Sequence, residues 1–79
     1  MYIGIMESES YDWMSLGRTA KEAKQAILDQ WNNHQQCLVE NNIKTKEEAE
    51  EDSFDTVEEI DNEYGISVTK INPGECKFW

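Results

Sequence analysis

The side chains in this sequence that could form a reactive site are one histidine and two cysteines. His34 and Cys37 are three residues apart, so they would be neighbours on one side of a helix. Nucleophilic catalysis also needs a third group that orients the histidine, and donors for the developing oxyanion. The sequence has no motif for either. We therefore predict that the protein is not an enzyme, and we assign no catalytic residue.

Metal and cofactor sites are recognised by their ligand spacing. His34, Cys37 and Cys76 could supply three zinc ligands, but a structural zinc site takes four and no second Cys-x-x-Cys pair is present. The acidic run 47–55 lacks the central glycine and the alternating oxygen ligands of a calcium loop. The four glycines are too scattered for a phosphate-binding or dinucleotide-binding loop. We predict no metal and no cofactor.

Carboxylates are the most abundant functional groups. The chain of 79 residues has 17 acidic and 7 basic residues, with a formal net charge of −10. This charge disfavours direct binding to nucleic acid or to anionic lipid, and it favours a basic protein partner. No stretch approaches the roughly 20 apolar residues of a membrane span, and the first residues do not resemble a signal peptide. We expect a cytoplasmic protein with free thiols, although a bond between Cys37 and Cys76 stays open.

The acidic side chains are concentrated between residues 47 and 63. A largely helical segment of this length would carry a charge density comparable to that of duplex DNA. A protein channel built for nucleic acid could accept it as a decoy, whereas the alternative is an ordinary solvated helix face. The predicted partner-binding acids are Glu47, Glu48, Glu51, Asp52, Asp55, Glu58, Glu59 and Asp61.

The first residues predict a β-hairpin. Runs 2–6 and 11–16 are rich in aromatic and aliphatic residues, and a polar segment separates them. Pairing Met6 with Tyr11 would place facing residues on the same side of the sheet. One side then holds Ile3, Ile5, Met14 and Leu16, and the other holds Tyr2, Met6, Tyr11 and Trp13. We expect the helices to cover the first of these sides.

Capping residues and apolar spacing predict the helices. Thr19 and Glu22 have the form of a capping box, which starts a helix that should end near 41–42. Its predicted apolar stripe is Ala20, Ala23, Ile27, Trp31, His34 and Leu38. Residues 44–52 read as a solvated helical turn or a linker. Ser53 or Asp55 could cap a further helix that ends at Gly65, with apolar side chains Phe54, Val57, Ile60 and Tyr64.

The end of the sequence predicts two more strands. Residues 66–71 read as a third strand, 72–75 as a turn with Pro and Gly at its centre, and 76–79 as a short fourth strand. The predicted fold is a single α+β domain over 1–79. Its antiparallel sheet would have about four strands in the order ββααββ, with two helices packed on one face.

One segment resembles a known family. The start of the chain, a hairpin that runs through Ser15-Leu-Gly-Arg-Thr19 into Ala20-Lys-Glu-Ala-Lys24, is similar to the entry into the helix of HicB-type antitoxins, which have a similar Thr and Glu-Ala pair there. The similarity covers about a quarter of the chain. It implies a protein that binds a partner protein, as an antitoxin does.

The second predicted binding surface is aromatic. Tyr2, Met6, Tyr11 and Trp13 would lie on the side of the hairpin that faces away from the helices. Tyr and Trp are enriched in interface hot spots, so this patch could serve a homodimer or a partner, unless the end of the chain folds over it. The favoured hypothesis remains a small acidic inhibitor or DNA mimic, encoded by a phage or mobile element. The alternatives are a dimerising module and an antitoxin-type binder.

Overall fold

The computed structural model describes residues 1–9 and 11–71, which form a three-stranded antiparallel sheet and three helices. The strands are β1 (Tyr2–Glu7), β2 (Asp12–Gly17) and β3 (Ile66–Lys70). The helices are α1 (Ala20–Glu40), α2 (Lys46–Asp52) and α3 (Val57–Tyr64). The α+β class and the antiparallel sheet are confirmed. The predicted fourth strand, 76–79, lies outside the described residues, and there are three helices where two were predicted.

The sheet has the order β2-β1-β3, with β1 paired to both neighbours. The predicted hairpin register was wrong by two residues, because Met6 faces Trp13 and not Tyr11. Tyr11 belongs to the turn, where its carbonyl accepts hydrogen bonds from the Ser8 amide at 2.9 Å and the Ser8 hydroxyl at 2.8 Å. A shift of two residues keeps the side chains of β1 and β2 on their predicted sides of the sheet, although Tyr11 no longer belongs to the strand.

The helices cover the opposite side of the sheet from the one predicted. Met6 is fully buried, and the Ser15 hydroxyl donates to the Ala23 carbonyl of α1 at 2.6 Å. A Cβ atom on Gly4 would lie 3.2 Å from that carbonyl oxygen, and one on Gly17 would lie 2.5 Å from the Ala23 nitrogen. Small residues on this side therefore let the backbone of α1 approach the sheet closely, which a count of apolar residues does not reveal.

The helix-covered side of the sheet and the inner sides of the helices share one core. Its buried members are Met6, Ile27, Leu28, Trp31, Ile60 and Ile66. Trp13, Phe54, Val57, Tyr64 and Val68 pack against them. The predicted apolar side of α3 is confirmed for Val57, Ile60 and Tyr64, whereas Phe54 packs on the core from the connection before the helix. The stripe on α1 differs from the prediction. Ala20 is exposed, Gln35 is buried, and His34 and Leu38 are half-buried.

The helix ends follow local capping rules. Thr19 caps α1 by accepting from the Glu22 amide at 3.1 Å, while the Glu22 carboxylate accepts from the Arg18 amide. Asn41 is the C-cap of α1, and Asn42 follows it with a positive φ of 59°. The helix therefore ends near 41–42, as predicted.

Helix α2 occupies the segment that was predicted to be a helical turn or a linker, and a capping box between Thr45 and Glu48 starts it. The N-cap of α3 is Thr56 and not Ser53 or Asp55. Helix α3 ends at Gly65, as predicted.

The other side of the sheet is not packed against any helix of the described chain. We call this surface, formed by Ile3, Ile5, Met14 and Leu16, the open sheet face. Met14 and Leu16 are 61% and 59% exposed, whereas Ile3 is buried in the central strand. The expectation that these four side chains form the core beneath the helices is therefore wrong.

Candidate functional site

Helices α2 and α3 follow one another along α1 in the antiparallel direction. The Trp31 indole nitrogen donates to the Asp52 carbonyl at 2.6 Å, which fixes the end of α2. Further along, Asp61 of α3 contacts Lys24 near the start of α1. The residues contacted on α1 thus move toward its N-terminus as the chain advances. The solvent-facing sides of α2 and α3 therefore form a continuous flank beside α1.

This flank contains the predicted partner-binding acids, which we call the acidic strip. Its members are Glu47, Glu48, Glu51, Asp52, Asp55, Glu58, Glu59 and Asp61. All except Asp61 are exposed. The strip is not one continuous helix, because residues 53–56 separate α2 from α3. The carboxylates therefore do not follow the regular spacing of a single helix.

Two members of the strip are bound to the protein's own lysines. Asp52 forms an ion pair with Lys44, and Asp61 forms one with Lys24 at 2.9 Å. Lys44 also donates to the buried Gln35 side chain at 2.6 Å. These two carboxylates help to hold α2 and α3 in place. Their negative charge is partly neutralised by the lysines, so they would attract a partner less strongly than the other acids of the strip.

Asp61 has the stronger structural role of the two. Its carboxylate accepts from the Ile66 amide at 2.7 Å, which joins the end of α3 to the start of β3. This hydrogen bond is the main cause of the lowered pKa of Asp61, and the hydrogen bond from Lys24 lowers the pKa further. Burial acts in the opposite direction but is outweighed. Asp61 therefore stabilises the fold as a carboxylate.

The other six carboxylates of the strip have no ion-pair partner within residues 1–9 and 11–71. Glu48 closes the capping box of α2, and Glu47, Glu58 and Glu59 lie in the first turns of their helices. Carboxylates in these positions also stabilise a helix, because their negative charge interacts favourably with the positive end of the helix dipole. The same acids can therefore have a structural role and still present their charge to a partner.

The predicted aromatic binding surface is not a surface in the structure. Met6 is fully buried, and Trp13 packs against the core. Tyr11 lies in the hairpin turn and is 56% exposed, whereas Tyr2 is half-buried at the opposite end of the sheet. The prediction of an outward face that joins these four residues was wrong, because this is the side on which α1 packs.

Tyr11 and Trp13 instead belong to a cluster of rings at the hairpin-turn end of the sheet. The His34 ring lies 5.2 Å from the Tyr11 ring and 5.5 Å from the Trp13 ring, measured between centroids. Trp31 continues the cluster at 5.4 Å from Trp13 and 5.1 Å from Tyr64. These rings line a pocket of about 330 Å³, which we call the aromatic pocket.

The sequence predictions missed the aromatic pocket. Its rings come from the hairpin, where Tyr11 lies in the turn and Trp13 in β2, from α1 and from the end of α3. The only local signal was the spacing of Trp31 and His34 on one stripe of α1. Only the packing of α1 on β2 brings Tyr11 and Trp13 to these residues.

The His34 and Cys37 side chains have different surroundings in the structure. His34 packs edge-on against Tyr11 and Trp13, whereas the Cys37 side chain is exposed. Cys76, the third candidate zinc ligand, lies outside the described residues. Within 1–9 and 11–71, no three His, Cys, Asp or Glu side chains are grouped so that they could hold a metal ion.

None of the helices described for residues 1–9 and 11–71 combines the length and the apolar character that crossing a membrane requires. Comparison of the chain with protein-family models, with curated proteins and with solved structures gives no match.

Proposed function

We propose that this protein is a non-enzymatic binding protein whose acidic strip occupies a basic, nucleic-acid-binding surface on a larger protein. The observation that supports this proposal is the set of six strip carboxylates without an ion-pair partner in the described chain. The partner's lysines and arginines would supply the missing positive charges. A role as an inhibitor or DNA mimic, encoded by a phage or mobile element, belongs to the same proposal.

Electrostatics determines how such a complex would behave. Exposed ion pairs contribute little singly, but a row of like charges raises the association rate with an oppositely charged surface. Salt screens this attraction beyond about 8 Å at physiological ionic strength. The complex should therefore form rapidly at low salt and weaken steeply as salt is added.

The experiment compares two variants that lose the same charge. The strip variant carries Glu51→Gln, Glu58→Gln and Glu59→Gln, which leaves the structural Asp52 and Asp61 intact. The control variant carries Glu7→Gln, Asp12→Asn and Glu40→Gln, all exposed and outside the strip. Each variant is immobilised and used to capture proteins from a lysate of the source organism, followed by quantitative mass spectrometry.

We expect basic proteins that are retained by the wild type and by the control variant to be lost from the strip variant. Duplex DNA added as a competitor should release them, because it would occupy the same basic surface. Equal retention by the strip variant and the control variant would rule out the strip as the binding surface.

A second candidate function is assembly through the open sheet face. The expected dimer face at Tyr2, Tyr11 and Trp13 is not available, but Met14 and Leu16 are exposed large apolar side chains on the other side of β2. Among the described strand residues on this side of the sheet, the charged ones are Glu7 and Asp12, which lie opposite each other at the hairpin end. For a protein of net charge −10, a second copy meets the least repulsion on such a face.

Sedimentation of Leu16→Lys tests the dimer. Ile43→Lys is the matched control, because Ile43 is a similarly exposed aliphatic residue outside the open sheet face. A dimer that uses this face should dissociate only in Leu16→Lys. An unchanged mass in that variant would remove the proposal. An antitoxin-type role, which the resemblance to HicB proteins implies, stays a prediction.

A further inference from the structure

The aromatic pocket has the size of a small ligand site. Its volume of about 330 Å³ falls within the usual range for pockets that hold small molecules or single side chains. Rings from three separate parts of the chain line it, and Tyr11 stands at its exposed edge. The pocket is lined by both polar and apolar groups, so it can hold a ligand that has a polar part and an apolar part.

The hydrogen-bond donors of the two tryptophans in this pocket are already engaged. The Trp13 indole nitrogen donates to the Ser8 hydroxyl at 3.1 Å, and the Trp31 indole nitrogen donates to the Asp52 carbonyl. Neither indole therefore has a free N–H for an anionic ligand. Trp31 is a buried member of the core, so the electron-rich ring surface that can attract a cation comes from the half-buried Trp13 and the exposed Tyr11.

The charges around the aromatic pocket also favour a cation. Glu9 and Asp52 line the pocket together with Lys44, whose ammonium group is already bound to Asp52 and Gln35. Burial raises the pKa of the Tyr64 hydroxyl, and the carboxylates of Glu63, Glu9 and Asp52 raise the pKa further. Only Lys44 acts in the opposite direction. The field at this phenol is therefore dominated by negative charge.

We propose that the aromatic pocket binds a planar organic cation, the guanidinium group of arginine. A guanidinium group can stack on an aromatic ring while it donates to a carboxylate, and Tyr11, Trp13 and Glu9 offer both kinds of contact. The arginine could be a free small molecule or a side chain of a bound protein. This inference goes beyond the acidic strip, with which the pocket shares only Asp52.

Nuclear magnetic resonance with isotope-labelled full-length protein tests the inference directly. The probe is N-acetyl-arginine amide, and the neutral control is N-acetyl-citrulline amide, which has almost the same shape. We expect the arginine derivative to shift the indole N–H resonances of Trp13 and Trp31, with a dissociation constant in the millimolar range. The citrulline derivative should leave both resonances unchanged at the same concentration.

Variants locate the binding site. Glu9→Gln and Tyr11→Ala should each weaken binding by about three- to tenfold, as expected for the loss of one cation contact. Ile43→Ala, an exposed change outside the pocket, should bind like the wild type. Tighter binding of free arginine than of the amide would indicate a small-molecule ligand, and tighter binding of an arginine peptide would indicate a protein side chain.

Two results would overturn the inference. One is the absence of any shift with the arginine derivative, and the other is an equal response to the arginine and citrulline derivatives. Neither result would affect the acidic strip, because the strip experiment measures capture of a protein partner and keeps all the pocket residues unchanged.

Discussion

The side chain of Asn32 hydrogen-bonds both polar groups of the Phe54 backbone. Its amide nitrogen donates to the Phe54 carbonyl at 2.8 Å, and its amide oxygen accepts from the Phe54 amide at 3.1 Å. This contact joins the middle of α1 to the connection between α2 and α3. The connection between the two acidic helices has no regular secondary structure. The Asn32 side chain therefore supplies the hydrogen-bond partners that the Phe54 backbone needs.

Replacing Asn32 with Ala should therefore destabilise the protein. The change leaves two partly buried backbone groups without their partner, so we expect the free energy of unfolding to fall by about 2 kcal/mol. Urea denaturation followed by circular dichroism measures this loss. Asn33→Ala is the matched control, since Asn33 is exposed on the same helix. Equal stability of the two variants would contradict a role for the contact.

The close approach of α1 to the hairpin predicts a strong effect of Gly17→Ala. The added methyl group would lie 2.5 Å from the Ala23 nitrogen and 2.9 Å from the Glu22 carbonyl carbon, both of which are backbone atoms. The helix must then move away from the sheet, at a cost of about 2 kcal/mol or more. Ser67→Ala, an exposed change in β3, should cost far less. Thermal unfolding of both variants checks the prediction.

The lowered pKa of Asp61 predicts how stability depends on pH. The folded state favours the carboxylate, so this contribution is complete above the ordinary pKa of 3.8 and is lost as the pH falls from there through the folded pKa. At pH 7 we expect Asp61→Asn to be less stable than the wild type by about 1 kcal/mol, allowing for its partial exposure. The difference should shrink as the pH falls below 3.8 and vanish once the pH is below the folded pKa.

Urea denaturation of the wild type and Asp61→Asn at three pH values measures this dependence. Glu63→Gln serves as the control, since Glu63 is an exposed acid of the same helix. A stability difference for Asp61→Asn that stays constant down to pH 3 would show that the carboxylate charge is not what stabilises the end of α3.

The sequence by itself determined the features that depend on near neighbours. Thr19, Thr45 and Gly65 mark helix ends because a cap involves residues only a few positions apart. The alternation of side chains in β1 and β2 assigned residues correctly to the two sides of the sheet, even though the register was wrong. The helical spacing of the apolar residues also predicted which side of α3 faces the core.

Only the tertiary structure decided which side of the sheet is covered, and with it the candidate sites. The close approach of α1 to Gly4 and Gly17 places Met6 in the core and leaves Met14 exposed. The pair between Lys24 and Asp61 joins residues 37 positions apart, so no local pattern could reveal which acids are engaged. Spacing along the chain specifies which side chains share a surface, whereas the packing of helices on the sheet decides which surface meets solvent.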